Sequence, residues 1–197
     1  MRIFVALDIK EEIRKRLRHF VEEMHGFAPD ARWVSPESLH VTLKFIGEKT
    51  DVIVKQIEEV LGSIEAEPFQ VRFYGVGFFP TVKAARVFWA GIKAEPSLEQ
   101  LAKSIESKLA GVGIAKEERA FSPHLTLARS GSGAPNWGKG DQVNRRFSRL
   151  QEKLNEQPEP DFGTMTARDF FLYRSQLSPK GSQYTKIARF GLNLREQ

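Results

Sequence analysis

The sequence predicts an α+β protein in two related lobes, with strands gathered into sheet and helices on the outer faces. Three observations predict this. Short segments of strand character alternate with single amphipathic helices along the 197 residues. The tetrapeptide His-x-Thr-Leu occurs twice, 84 residues apart, once in each half of the chain. Length suffices for a substantial core, and 41% hydrophobic content is ordinary for a globular protein.

Residues 2–9 open as a strand. A helix follows, because Ile13, Leu17, Phe20, Val21 and Met24 recur at helical spacing. A second helix carries Ile53, Ile57, Val60, Leu61 and Ile64, and a third carries Leu98, Leu101, Ile105 and Leu109. The segments 31–35, 40–46, 69–79, 86–93, 122–128, 168–177 and 184–192 read as strands that receive these apolar stripes. Glycine, serine and proline make 129–140 a loop, without the lysine-serine ending of a phosphate-binding Walker loop. A fourth helix is expected over 141–156, with Val143, Phe147, Leu150 and Leu154 inward and Arg145, Arg146 and Arg149 mostly outward. Pro158 and Pro160 stop it. The whole reads as a single bilobal domain, 1–197, with a loop-plus-helix insertion at 130–160.

Composition bounds the chemistry. No cysteine is present, which excludes disulfides and thiolate catalysis and leaves metal binding to four histidines and the carboxylates. No apolar run reaches membrane-spanning length and no cleavable leader pattern opens the chain, so a soluble, cytoplasmic protein is expected. The formal net charge of +5 attracts polyanions, as it does in many proteins that bind none.

The duplicated motif carries the chemistry. In a strand, residues two apart share a face, so His40 pairs with Thr42 and His124 with Thr126. Val41, Leu43 and Phe45 point the other way, as do Leu125 and Leu127, and both sets read as core. Two lobes related by a pseudo-twofold would gather four polar side chains around one point. Imidazole titrates near neutrality, so one ring can accept a proton while the other donates one. A threonine hydroxyl beside each ring can hold a phosphoryl oxygen. That set suits phosphodiester cleavage without metal. Buried histidines bonded to backbone, beside threonines chosen for strand propensity, are the bland alternative, which the repetition of the motif disfavours.

A family resemblance rests on the same residues. Arg32-Trp33-Val34, Glu37-Ser38-Leu39-His40-Val41-Thr42-Leu43-Lys44-Phe45-Ile46-Gly47-Glu48 and Phe121-Ser122-Pro123-His124-Leu125-Thr126-Leu127-Ala128-Arg129 resemble the two signatures of the 2H phosphoesterase superfamily. Within it, the RNA 2′,3′-cyclic phosphodiesterases, also called 2′-5′ RNA ligases, are most similar. Arg2-Ile3-Phe4-Val5-Ala6-Leu7-Asp8 resembles that family's first strand. Leu172-Tyr173-Arg174-Ser175-Gln176-Leu177, with Gly181 and Tyr184, resembles its last hairpin.

The resemblance implies a bilobal α+β fold, with two antiparallel sheets lining a central cleft and helices outside. It implies hydrolysis of an RNA 2′,3′-cyclic phosphate end, tRNA fragments among the substrates, to a 2′-phosphate by a monomer without cofactor. Reversible 2′-5′ joining of RNA ends is the family's further capacity. By the resemblance His40 is the proton donor and His124 the proton acceptor, although exchanged roles fit the residues as well. Thr42, Thr126 and Arg129 would bind phosphate. Strict alternation points Arg129 away from His124, so its role requires a bulge or a strand end.

Lys44 shares the His40 face by alternation and is a possible RNA contact or a plain solvated lysine. Trp137, in the loop, is either a base-stacking residue or a loop anchor. His19 and His25 fall in solvent. A non-catalytic RNA-binding module on the same fold is the main alternative, and a metal-dependent hydrolase ranks last for want of clustered ligand spacing.

Overall fold

The computed structural model describes residues 1–131, 145–178 and 181–193. In chain order the elements are β1 (Arg2–Asp8), α1 (Glu11–His25), β2 (Ala31–Trp33), β3 (His40–Glu48), α2 (Asp51–Gly62), β4 (Phe69–Phe79), β5 (Val87–Lys93), α3 (Ser97–Ala110), β6 (His124–Ser130), α4 (Ser148–Asn155), β7 (Asp161–Ala167), β8 (Asp169–Ser178) and β9 (Gly181–Gly191). The strands form two antiparallel sheets, one in the order β3-β1-β8-β9 and the other β2-β6-β5-β4-β7. Each sheet therefore holds one copy of the His-x-Thr-Leu motif, on β3 and on β6.

Helical periodicity and the helices agree. Ile13, Leu17, Phe20, Val21 and Met24 of α1 are buried, and Glu11 and Glu12 in its first turn complement the helix dipole. Ile57 of α2 and Leu101 and Ile105 of α3 reach the same core as Val5 and Leu7 of β1, Val71 and Phe73 of β4, and Leu125 of β6. One continuous apolar core thus joins both sheets and all the described helices. The opposite face of the first sheet is apolar too. Phe4, Ala6 and Tyr173 form a second small cluster there, with Phe171 and Tyr184 against it. β1 is buried on both faces, which explains its nearly unbroken apolar sequence.

Three expectations change. The fourth helix is shorter than its periodicity suggests: a 3-10 turn at Arg145–Phe147 leads into α4, and 141–144 lie outside the described residues. Phe147 and Leu150 are buried while Arg145, Arg146 and Arg149 are exposed, as the pattern requires. Strand β7, which alternation does not reveal, pairs with β4. Gly163 adopts φ 99° there, and the register slips between Phe73 and Tyr74, so the period of two is broken inside β7. The third change, inside β3, reorients part of the site.

Candidate active site

Strands β3 and β6 approach each other where the two sheets meet. β3 is an edge strand paired with β1, whereas β6 lies between β2 and β5. Both carry a β-bulge at the same place in the motif. Opposite β1, Ala6 faces Thr42 and Val5 faces Lys44, which leaves Leu43 as the extra residue. Opposite β5, Trp89 faces Thr126 and Phe88 faces Ala128, which leaves Leu127 extra. Upstream of each bulge the alternation holds: Val41 and Leu125 are fully buried, while His40, Thr42, His124 and Thr126 are half-buried on the open faces. Downstream it is inverted.

That inversion corrects two assignments and supplies a third. Phe45 is not core: it is 62% exposed and lies on the His40 face, 6.0 Å from the Phe4 ring. Lys44 does not share the His40 face, which removes the basis for reading it as a possible RNA contact. It is only 5% exposed, and its Nζ donates to the Ala115 carbonyl at 2.9 Å and pairs with Glu106 at 2.6 Å. The aliphatic stem lets a lysine occupy an inward position while its charge finds partners at the rim. Arg129 is turned onto the face of His124 and Thr126 by the Leu127 bulge, as its expected role requires. Trp137 lies outside the described residues. His19 and His25 are exposed.

The two imidazoles are held alike. Nδ1 of His40 lies 2.7 Å from the Ser38 carbonyl, and Nδ1 of His124 lies 2.8 Å from the Ser122 carbonyl. A carbonyl oxygen only accepts, so each Nδ1 carries the proton and Nε2 is left for chemistry. The carbonyl comes two residues before the histidine in both copies, so the anchor repeats along with the motif.

The rings differ in surroundings. His40 packs 4.7 Å from Phe4 and edge-on to Tyr184 at 5.0 Å, with Tyr173 at 6.0 Å. Burial among these rings lowers the His40 pKa below its usual value; the Ser38 carbonyl and the charge of Asp8 oppose the shift, and Arg14 adds to it. Burial likewise raises the Tyr173 phenol. Behind His40, Asp8 lies directly across from it in the β1–β3 ladder. Its carboxylate accepts from Arg14 at 2.8 Å and from Lys186. Arg14 is buried and also donates to the carbonyls of Pro36, Leu39 and Ile9. His124 packs edge-on to Phe79 at 5.1 Å.

The sequence marks Phe4, Tyr173 and Tyr184 only as parts of the first strand and the last hairpin; their packing around His40 comes through pairings distant in sequence. Arg14 did leave a signal, as a charge within the apolar stripe of α1. Arg32 stands directly opposite Arg129 in the β2–β6 ladder, so two exposed guanidinium groups flank the end of the second motif. Trp89, opposite Thr126, lies over Gly77, where a Cβ would come within 2.2 Å of the indole, and its buried Nε1 has no hydrogen-bond partner among the described residues. Also among the described residues, no three His, Asp or Glu side chains group as a metal site, and no helix is long and apolar enough to cross a membrane.

Two sheets that each present a backbone-anchored histidine and a threonine, on strands in contact with one another, match the pattern of the two-histidine phosphoesterase class. Known proteins narrow this. Residues 7–175 match the 2′-5′ RNA ligase superfamily, and the chain belongs to that family. An RNA 2′,3′-cyclic phosphodiesterase of Archaeoglobus fulgidus is 35% identical over 190 residues, 96% of this chain and 99% of the relative. One from Methanothermobacter thermautotrophicus is 30% identical over 194 residues, covering 98% and 99%. Among solved structures, E. coli LigT complexed with 3′-AMP superposes with a TM-score of 0.76 at 29% identity, covering 97% of each chain. TT0787 of Thermus thermophilus superposes at 0.74 and 30% identity over the whole of both chains.

Proposed function

We propose that this protein hydrolyses 2′,3′-cyclic phosphate ends of RNA to 2′-phosphates, without metal, by proton transfer through His40 and His124. The observation that carries the proposal is the matched anchoring of the two Nδ1 atoms, which frees both Nε2 atoms on strands that approach each other. Full-length relatives named RNA 2′,3′-cyclic phosphodiesterase support it.

In the reaction, His124 Nε2 takes a proton from water, whose oxygen forms a new bond to phosphorus. The bond from phosphorus to the 3′ oxygen breaks, and His40 Nε2 gives that oxygen its proton. The phosphate stays on the 2′ oxygen. Thr42 and Thr126 donate to the non-bridging oxygens, and Arg129, with Arg32 beside it, offsets the charge that grows there. Burial favours the neutral form of His40 in the free protein, and an anionic phosphodiester bound beside it favours the charged form. A 5′-hydroxyl in the place of water gives 2′-5′ joining by the same proton transfers. Phe45, exposed on the His40 face, stacks on the terminal base. The 1–197 chain acts as one bilobal catalytic domain with an insertion at 130–160. We assign the reaction to a cytoplasmic monomer acting on RNA such as tRNA fragments, a reading supported by the cysteine-free, basic composition.

The deciding experiment incubates the purified protein, with chelator present, with an oligoribonucleotide ending in a 2′,3′-cyclic phosphate. Phosphorus NMR of the product should show a 2′-phosphomonoester. A 3′-phosphate, or activity that chelator abolishes and zinc restores, would overturn the mechanism.

A further inference from the structure

The open face of the second sheet continues past His124. Alternation from the β6–β5–β4 registers puts Gly91, opposite His124, then Lys93, Arg72 and Tyr74 on the same face as the imidazole. Lys93 and Arg72 are directly opposite each other, and like charges so placed repel. Both are nonetheless gathered over one ring: the Arg72 guanidinium is 4.8 Å from the Tyr74 centroid and the Lys93 ammonium 4.3 Å. Acids placed near it among the described residues are Asp161, which pairs with Arg72 at 2.7 Å, and Glu159, whose carboxylate lies over Gly75. Asp161 begins β7, on the far side of β4, so the patch is positive on the side that looks toward β6. Among the described residues Lys93 has no ion-pair partner.

Between this patch and His124 the position opposite the imidazole is Gly91, which carries no side chain, and the Trp89 indole lies beside it, 3.6 Å from where a Cβ would stand. A Cβ at Gly91 would fall 2.4 Å from the Tyr74 carbonyl oxygen, so no larger residue fits without moving the backbone. The close approach comes from the bulge at Tyr74 and Gly75, where Gly75 takes φ 74°. From strand spacing, the Lys93 and His124 backbones are roughly 8 Å apart, a distance one nucleotide can span.

We infer that Lys93 and Arg72, held in place by the Tyr74 ring, bind an internucleotide phosphate of single-stranded RNA on the 5′ side of the reacting nucleotide. This rests on the cyclic phosphodiesterase reading and extends it from the terminal phosphate to the chain behind it. Lys93 and Arg72 contact the phosphate, and Tyr74 is a positioning residue. Long-chain RNA is then preferred over mononucleotides through a contact that never touches the reacting atoms.

The test compares wild type with the double variant Lys93→Gln, Arg72→Gln on two substrates, a mononucleoside 2′,3′-cyclic phosphate and an oligoribonucleotide with the same end. The oligonucleotide kcat/KM should fall tenfold or more and the mononucleotide value by less than twofold. The slope of log affinity against log salt should drop by about 1.4, two phosphate-facing cations at about 0.7 each for a single strand. Tyr74→Leu should lose part of the oligonucleotide preference and Tyr74→Phe should keep it. Equal losses on both substrates, or an unchanged salt slope, would overturn the inference. If wild type turns over neither substrate, the hydrolase reading falls separately. Binding of an oligoribonucleotide that already ends in a 2′-phosphate, measured against salt with the same variants, then still confirms or refutes the phosphate contact.

Discussion

At the scale of the residue, His40 and His124 are related by anchoring and separated by environment. On the proposed mechanism, removal of either ring deletes one proton transfer, so His40→Ala and His124→Ala should each lower kcat by about two to four orders of magnitude. The double variant should lose little more than the worse single, because the two act as a unit. Steady-state kinetics on a nucleoside cyclic phosphate settles this, and full activity in both single variants would reject the scheme. Burial lowers the His40 pKa, and that sets the shape of the pH profile. As donor, His40 must be charged to act, so kcat/KM, which reports the free enzyme, should decline above a pH lower than the ordinary histidine value. The kcat limb, measured with the anion bound, should lie at higher pH. His40→Gln should erase this alkaline limb; erasure of the acidic limb instead would make His40 the base. Stability follows the same shift. The unfolded chain takes up this proton near the ordinary value while the native protein resists it, so the His40 contribution is intact above that value and lost as pH falls toward the folded one.

At the scale of the element, the two bulges decide which side chains share the face of each histidine. The facing of His40, Thr42, His124 and Thr126 is legible in the sequence because each precedes the bulge in its strand, where a period of two still holds. Lys44 and Phe45 were misassigned because they follow it. Nothing local announces Leu43 as an extra residue, since a lysine stem can pass for a solvated position. In the second motif the adjacent Leu127 and Ala128, both buried, are the trace of the same irregularity. The ring of Phe4, Tyr173 and Tyr184 around His40 was illegible for another reason, because β8 and β9 reach it only through long-range pairing. Two substitutions test the corrected facing. Lys44→Ala leaves Glu106 without its cation and should cost about 1–3 kcal/mol in urea unfolding, with kcat/KM per folded molecule unchanged. A specific loss of RNA affinity would return Lys44 to the cleft. Phe45→Ala, at an exposed position, should leave the urea midpoint in place and weaken kcat/KM by about 1–3 kcal/mol, mostly through KM. An unaltered KM would remove Phe45 from the substrate site.

At the scale of the whole molecule, the proposed mechanism, which takes one histidine from each sheet, works only if the sheets hold a fixed separation. An error of about an ångström at reacting atoms can cost roughly two orders of magnitude in rate. The structure meets this requirement with packing. Val5 and Leu7 of the first sheet, Val71, Phe73 and Leu125 of the second, and residues of all the described helices belong to one continuous core. Lys44 adds a polar tie from β3 to α3 through Glu106. Lobes with separate cores would unfold in separate steps, whereas a shared core makes the exposure of either sheet cost the other its packing. Urea unfolding of a Trp137→Phe variant followed by tryptophan fluorescence, which then reads Trp33 and Trp89 in the second sheet, should therefore coincide with loss of far-UV circular dichroism from the whole chain. The two curves should share one midpoint. Should fluorescence change while half the dichroism persists, the lobes would be independently stable, and the geometry of the histidine pair would have to be fixed by the bound substrate instead of by the fold.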